Sequence, residues 1–235
     1  MKHTTPLPTF IEFTGIPGSG KTTVAKELIK ELRKRGYKVE TREEFDFSLE
    51  NDHFGSSLRI MFGLLKRSNF LFAAKLTGLA LFHGHKSLYN LKIIPSFIHS
   101  YLKVKKYLAD SEADYMIFDQ AFFQSLSSIF YNKEIEDPKL LESVAAKIIE
   151  ELNVKYLIST HLPVEEATKR IIARKHGTSR LDSFESSQIS SILQVQSTNF
   201  SKIWEAVVGR VSVIKINTEN DPSLVRERLI KELNI

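Results

Sequence analysis

Eight consecutive residues, Gly15-Ile16-Pro17-Gly18-Ser19-Gly20-Lys21-Thr22, satisfy the pattern G-x-x-x-x-G-K-[ST]. Glycines at this spacing let the backbone curl so that successive N–H groups point inward, and a helix opening at the lysine adds its own N-terminal amides. The loop is therefore a cradle for a polyphosphate. Gly15, Gly18, Ser19, Gly20 and Thr23 are the expected nucleotide-binding residues, with Lys21 reaching the β and γ oxygens and Thr22 ligating Mg²⁺. The chemistry this points to is phosphoryl transfer from a nucleoside triphosphate, ATP with Mg²⁺ being the expected donor.

Such chemistry needs a second oxygen ligand near the metal, at the C-terminal end of a strand where ligands bind in open α/β sheets. Asp119 follows the apolar run Tyr115-Met116-Ile117-Phe118 and fits that place, its alternative being a cap for the next helix. At the end of another strand, Thr41-Arg42-Glu43-Glu44 offers Glu43 as acceptor of a hydroxyl proton and Arg42 as a bidentate partner for an anion. Plain surface charge is the alternative there. Arg170 and Arg174 stand i, i+4 on one helix face, and Arg180 follows His176-Gly177-Thr178-Ser179. Residues 170–182 thus read as an arginine-bearing lid that closes over phosphates and neutralises charge in the transition state; a solvated helix face would look similar.

The elements that must hold these groups follow from periodicity. Residues 9–14 read as a strand closed by Gly15, and residues 21–35 as a helix with Val24, Ala25, Leu28 and Leu32 on one face, ended by Gly36. Further strands are expected over 37–42, 115–118, 154–159 and 211–216. Helices are expected after Asp119, from Asp137-Pro138 to Leu152, from Pro163 to about Gly177, over 184–208, and from Asp221-Pro222 onward. Strands alternating with helices imply an α/β fold, a five-stranded parallel sheet with helices on both faces. Residues 48–109 are too long for a loop and show helical spacing at Leu58, Met61, Phe62 and Leu65. They read as a helical insertion in a core made of 1–47 and 110–235.

At 235 residues, 42% of them hydrophobic, the chain can bury one sizeable core. It has no cysteine, which excludes disulfides and thiolate chemistry. No apolar h-region precedes the first strand, and the longest greasy stretch, residues 70–82, contains Lys75 and is short of the roughly 20 residues of a spanning helix. A cytoplasmic protein is expected. The net charge is +5, yet residues 53–109 hold Arg59, Lys66, Arg67, Lys75, Lys86, Lys92, Lys103, Lys105 and Lys106 with no Asp or Glu, interleaved with Phe62, Phe70, Phe72, Phe82, Tyr89, Phe97, Tyr101 and Tyr107. This one-sided charge suggests an anionic, partly apolar small-molecule acceptor, or peripheral contact with an anionic membrane; lysines snorkelling from an aromatic core are the alternative. Nothing points to nucleic acid, and a homodimer is left open.

In this order the pieces resemble the P-loop kinases of nucleotides and nucleosides, and the thymidylate kinase-like group most closely, over nearly the whole chain. The resemblance implies a P-loop NTPase fold. It matches Thr41-Arg42-Glu43 to the family's T-R-E, Asp119-Gln120 to its Asp-Arg, and Arg170, Arg174 and Arg180 to its lid. It further implies that Glu43 is a base or Mg²⁺-organising carboxylate, that Asp119 holds metal-bound water, and that Arg174 lies against adenine or phosphate. Gln120 replaces the arginine that contacts the acceptor phosphate, Glu44-Phe45 replaces Pro-Gly, and Ile16-Pro17 replaces an acidic residue. These departures leave the acceptor open.

Two other activities share the loop. A GTPase switch needs N-K-x-D, and Asn132-Lys133-Glu134-Ile135 lacks the Asp. An ATPase whose basic insertion binds a polyanion or membrane surface is the alternative to the kinase.

Overall fold

The computed structural model describes residues 7–45, 67–84, 88–174, 180–219 and 221–235. Five strands, β1 (Thr9–Thr14), β2 (Val39–Thr41), β3 (Tyr115–Phe118), β4 (Val154–His161) and β5 (Ser212–Asn217), form one sheet in the order β2-β3-β1-β4-β5. Every pairing is parallel. From β1 the chain moves to one side for β2 and β3 and later to the other for β4 and β5. The direction of winding reverses at β1, which opens a crevice at the C-terminal ends of β1, β3 and β4.

Side chains alternate across β1, and both faces are covered, so every residue of the strand after Thr9 is buried. Ile11 and Phe13 pack with Val24, Leu28 and Leu32 of α1 (Lys21–Lys34) and with Val225 and Leu229 of the C-terminal helix, Pro222–Glu232. Phe10 faces the opposite layer, with Phe118, Phe122, Leu126, Leu141 and Leu193. The described part of the expected insertion is helical: α2 (Arg67–Gly78), a π-helical turn (Leu79–His83) and α3 (Leu88–Asp110). Its Phe72, Leu76, Phe97, Tyr101 and Val104 belong to this same second layer. Leu58, Met61, Phe62 and Leu65 lie outside the described residues.

The remaining helices are α4 (Phe122–Phe130), α5 (Pro138–Glu151), α6 (Val164–Ala173), α7 (Ser186–Val207) and α8, the C-terminal helix already mentioned. Asp137 caps α5 by accepting from the Leu140 amide at 3.1 Å, with proline at the first helical turn as its sequence implies. Of α6, the chain beyond Arg174 up to residue 179 lies outside the described residues.

Several boundaries differ from expectation, two of them beside the site, and α6 stops at Ala173, short of its expected end near residue 177. β2 stops at Thr41 because Thr41 and Glu44 form a reciprocal capping box: the Thr41 amide donates to Glu44 Oε2 at 2.9 Å and the Glu44 amide to Thr41 Oγ1 at 3.3 Å. The chain is helical from Arg42 to Phe45. β4 runs two residues further than expected, because Thr160 and His161 pair with Ile216 and Asn217 after β1 has ended.

The aromatic residues of the insertion divide. Phe72, Phe97 and Tyr101 are buried, whereas Phe70 and Phe82 are 62% and 77% exposed. Lys105 is fastened to α5, donating to Glu151 Oε2 at 2.6 Å, and Tyr101 donates to the same carboxylate, which Lys147 also reaches at 2.6 Å. Lys75 donates to Ser143 Oγ at 2.6 Å. Among the described residues no helix is long and apolar enough to cross a membrane.

Candidate functional site

The loop between β1 and α1 owes its shape to its neighbours. At Gly15, with φ of +149°, a Cβ would come within 2.4 Å of Thr160 Oγ1 and 2.6 Å of the Thr160 carbonyl, so only glycine fits beside β4. Thr160 in turn donates to the Thr14 carbonyl at 3.1 Å and shares a 2.6 Å hydrogen bond with Ser19 Oγ. Trp204 of α7 closes the set, its Nε1 donating to Thr14 Oγ1 at 3.1 Å, and its ring centroid lies 5.0 Å from that of His161. Gly20 stands at the N-cap of α1 with φ of +79° and supplies no side-chain acceptor to the first amides of the helix. No acid occupies the first turn. Those amides and the positive end of the helix dipole are thus directed at the cleft.

Lys21 is buried, and its Nζ donates to the carbonyls of Gly15 and Ile16 at 2.8 and 2.9 Å. An ammonium has three donors, so one remains for a phosphate oxygen. Burial pushes its pKa down to about 7 against the opposing pull of Asp119, and Arg174 adds to the fall. Thr22 Oγ1 donates to Asp119 Oδ2 at 2.6 Å, joining two groups 97 positions apart. A hydroxyl and a carboxylate are hard oxygen donors, suited to Mg²⁺, which keeps most of its shell as water and phosphate oxygen. Among the described residues no group of three or more His, Cys, Asp or Glu is placed to hold a metal ion.

On the other side of Asp119 lies a pocket of about 510 Å³ between α3 and α4, lined among others by Arg42, Phe45, Phe97, Ser100, Gln120 and Gln124. Arg42 Nη1 donates to the Gln120 carbonyl at 2.7 Å, so these two acceptor candidates meet. Gln124 brings a buried amide oxygen that has no hydrogen-bond partner among the described residues. Lys103, Lys105 and Lys106 do not line this pocket, and Lys105 is turned to Glu151 instead. Arg42 is its one lining cation among the described residues.

Glu43 is exposed, and among the described residues no hydrogen bond or ion pair holds it. Its neighbour Glu44 is the fastened one, taking Arg33 Nη2 at 2.7 and 2.8 Å besides capping Thr41. Arg170 lines a second cavity, of about 320 Å³, with Gly20, Thr23, Thr218 and Glu219, and pairs with Glu166 at 3.4 Å. Arg174 follows the last residue of α6 with an extended backbone, so it does not share a helix face with Arg170 as the i, i+4 spacing implied; it is exposed and close enough to Lys21 to act on its charge. The Arg180 side chain and residues 175–179, the middle of the expected lid, lie outside the described residues.

Sequence reasoning missed Glu12. This β1 carboxylate is fully buried and accepts from the amides of Ala121, Phe122 and Gln124 at 3.2, 3.0 and 2.9 Å. An acid at an inward position of an apolar strand was the available signal. Thr160 was also missed, although the run Ser159-Thr160-His161 breaks the apolar character of β4 where it passes the loop.

A family model described as chromatin associated protein KTI12 matches residues 9–62. A probable thymidylate kinase of Sulfurisphaera tokodaii is 50% identical over 38 residues, which are 16% of this chain and 20% of that protein. The chain therefore matches about a fifth of the length of that curated relative. Among solved structures, deoxyadenosine kinase from M. mycoides with bound dATP superposes with a TM-score of 0.51 over 97% of this chain and 100% of that one, at 14% identity. A structure of deoxyadenosine kinase from the same source, with products dCMP and a flexible dCDP bound, gives a TM-score of 0.49, at 15% identity over 96% and 99% of the two chains. With the strand order, the all-parallel pairing and the loop between β1 and α1, the fold is that of the P-loop NTPases.

Proposed function

We propose that the chain is an ATP-dependent kinase that transfers the γ-phosphoryl group to a small-molecule acceptor seated in the pocket between α3 and α4. The observation that carries this reading is the position of Asp119. Its carboxylate touches Thr22 beside the phosphate loop, and the next residue, Gln120, lines the pocket. Donor and acceptor sites thus meet at one turn, as direct transfer demands. The dATP in the M. mycoides deoxyadenosine kinase and the name of the S. tokodaii relative favour a nucleotide donor and a nucleoside-like or nucleotide-like acceptor.

Free backbone amides between Gly18 and Thr22, together with Lys21, hold the β- and γ-phosphates. Thr22 and Asp119 would hold Mg²⁺, which would supply charge neutralisation on the phosphate oxygens. Arg170 and Arg174, on the lid side, stabilise the charge of the transferring group, and Arg42 orients the acceptor. Glu43 takes the hydroxyl proton; Glu43→Gln is expected to lower kcat by about 10² with nucleotide binding intact. The acceptor offers an aromatic or apolar face to Phe45 and Phe97 and a hydrogen-bond donor to the Gln124 oxygen. It carries at most one anionic group for Arg42. The deciding experiment is ATP consumption with a panel of nucleosides, nucleotides, sugars and lipid-linked alcohols. Turnover that rises steeply with one acceptor class supports the kinase, and turnover indifferent to all of them overturns it.

A second reading has one observation in its favour. Phe70, Leu71, Leu81 and Phe82 are exposed on α2 and the turn after it, within the segment that holds cations and no acids. Such a surface suits an anionic bilayer. Cosedimentation with anionic vesicles that weakens with salt would support it, and no binding at low salt would dismiss it.

A further inference from the structure

We propose that Glu12 is a positioning residue for phosphoryl transfer, one that fixes the turn carrying Asp119 and Gln120 at its working distance from the phosphate loop. The proposal rests on the kinase reading above.

Helix α4 starts without a cap of its own, because its N-cap is Ala121, which has no side-chain acceptor. The first amides of a helix need partners when they are buried. Here they find them on another element: Glu12 Oε1 accepts from Ala121 and Gln124, and Oε2 from Phe122. Both carboxylate oxygens are engaged by a backbone segment 109 to 112 positions away.

A cap needs nothing so remote. Serine at position 121 could accept from the Gln124 amide, and the Gln124 side chain could reach back to the Ala121 amide, without placing a charge in the interior. Glu12 is fully buried, and loss of water pushes its pKa up to about 7, although the backbone amides at the start of α4 pull the other way. What the remote carboxylate adds is a connection. β1 runs directly into the phosphate loop, and in the sheet Glu12 sits opposite Phe118, the residue before Asp119. The sheet pairing holds the backbone up to Phe118, and the carboxylate takes hold again at Ala121. Only Asp119 and Gln120 lie between these two grips. One of them bonds Thr22, and the other lines the acceptor pocket and receives Arg42 through its carbonyl. Released at Ala121, the turn could drift from Thr22, and a displacement of about 1 Å at such a point costs on the order of 10²-fold in rate.

The test uses Glu12→Gln, which keeps the shape but turns one acceptor oxygen into a donor, and Glu12→Asp, which keeps the charge and withdraws it by one methylene. Each is measured well below its Tm. The expected result is an acceptor-dependent kcat lowered by about 10- to 10²-fold, a weaker Mn²⁺ affinity of the ATP complex read by paramagnetic resonance without acceptor, and an unchanged affinity for metal-free ATP. A folded Glu12→Gln protein with parental kcat and parental Mn²⁺ affinity, changed only in Tm, reduces Glu12 to a helix cap and overturns the proposal. If Glu12→Gln does not fold, the same two measurements on Glu12→Asp decide in the same way. The Mn²⁺ titration needs no acceptor, so a parent enzyme without acceptor-stimulated turnover sinks the kinase reading while Glu12 is still tested.

Discussion

On the nucleotide side of the cleft nine consecutive residues, 15–23, supply the amides, the ammonium and the hydroxyl in one stroke of the chain. The proposed acceptor side draws Arg42 from the end of β2, Ser100 from α3, Gln120 from the turn after β3 and Gln124 from α4. The first half works mainly through main-chain donors, which a side-chain substitution cannot remove. The second works through side chains held by the packing of separate elements. In the proposed kinase, binding of triphosphate would therefore be a local property of the chain, whereas the choice of acceptor would be a tertiary one.

Substitutions can sharpen or break this contrast. The largest effect is expected for Lys21→Ala, which should lower turnover by about 10³-fold with far-UV dichroism unchanged, since it removes the charge aimed at the transferring group. Normal turnover in a folded variant would break the nucleotide half of the comparison. Asp119→Asn, at the junction, should lower kcat by about 10² while metal-free ATP binds as before; a loss confined to ATP affinity would assign Asp119 to the nucleotide side alone. Arg42→Ala should raise the acceptor KM about tenfold and leave the ATP KM unaltered, and equal shifts in both constants would erase the distinction between the two sides.

The smallest effect concerns the tether of the acceptor wall. Three donors hold Glu151: Lys105, Lys147 and Tyr101. Burial alone would raise its pKa, but these partners outweigh it and bring the carboxyl down to about 2 from about 4.5. A depressed carboxyl stabilises the fold above its unfolded pKa and loses that contribution as pH falls through the folded one. Glu151→Gln should therefore lower Tm by about 2–4 °C at neutral pH. The gap to the parent should close as pH falls from about 4.5 toward about 2. A gap that persists unchanged at pH 2 would show that α3 is held by packing alone.

What could be read from the sequence follows the same division. The loop, Asp119 and the alternation of strands and helices are encoded in short windows, and the expected residues Thr22 and Asp119 do lie 2.6 Å apart. Thr41-Arg42-Glu43-Glu44 carried two signals at once. Read for chemistry it offers Glu43, and read for local structure it is the T-x-x-E of a capping box, which ends β2 and employs Glu44. Lys105 looked like one of nine unmatched cations because its partner Glu151 is 46 positions away and on another helix. An acid within an apolar strand marks Glu12, but its partners were illegible for the same reason: nothing near it in sequence indicates that a helix without its own cap would start against it.

The hydrogen bond from Trp204 to Thr14 has an optical consequence. The chain contains one tryptophan, and its indole nitrogen is bound one residue before Gly15. Its ring also lies near His161 and under the Lys215 ammonium, 6.0 Å from the centroid. Emission from a single, largely buried indole reports on the field around it. Thr160 and Ser19 link that indole to the loop through hydroxyl groups, so a triphosphate entering the cradle should change the intensity or wavelength of the fluorescence. Binding can then be followed without a label, against a background free of any second indole.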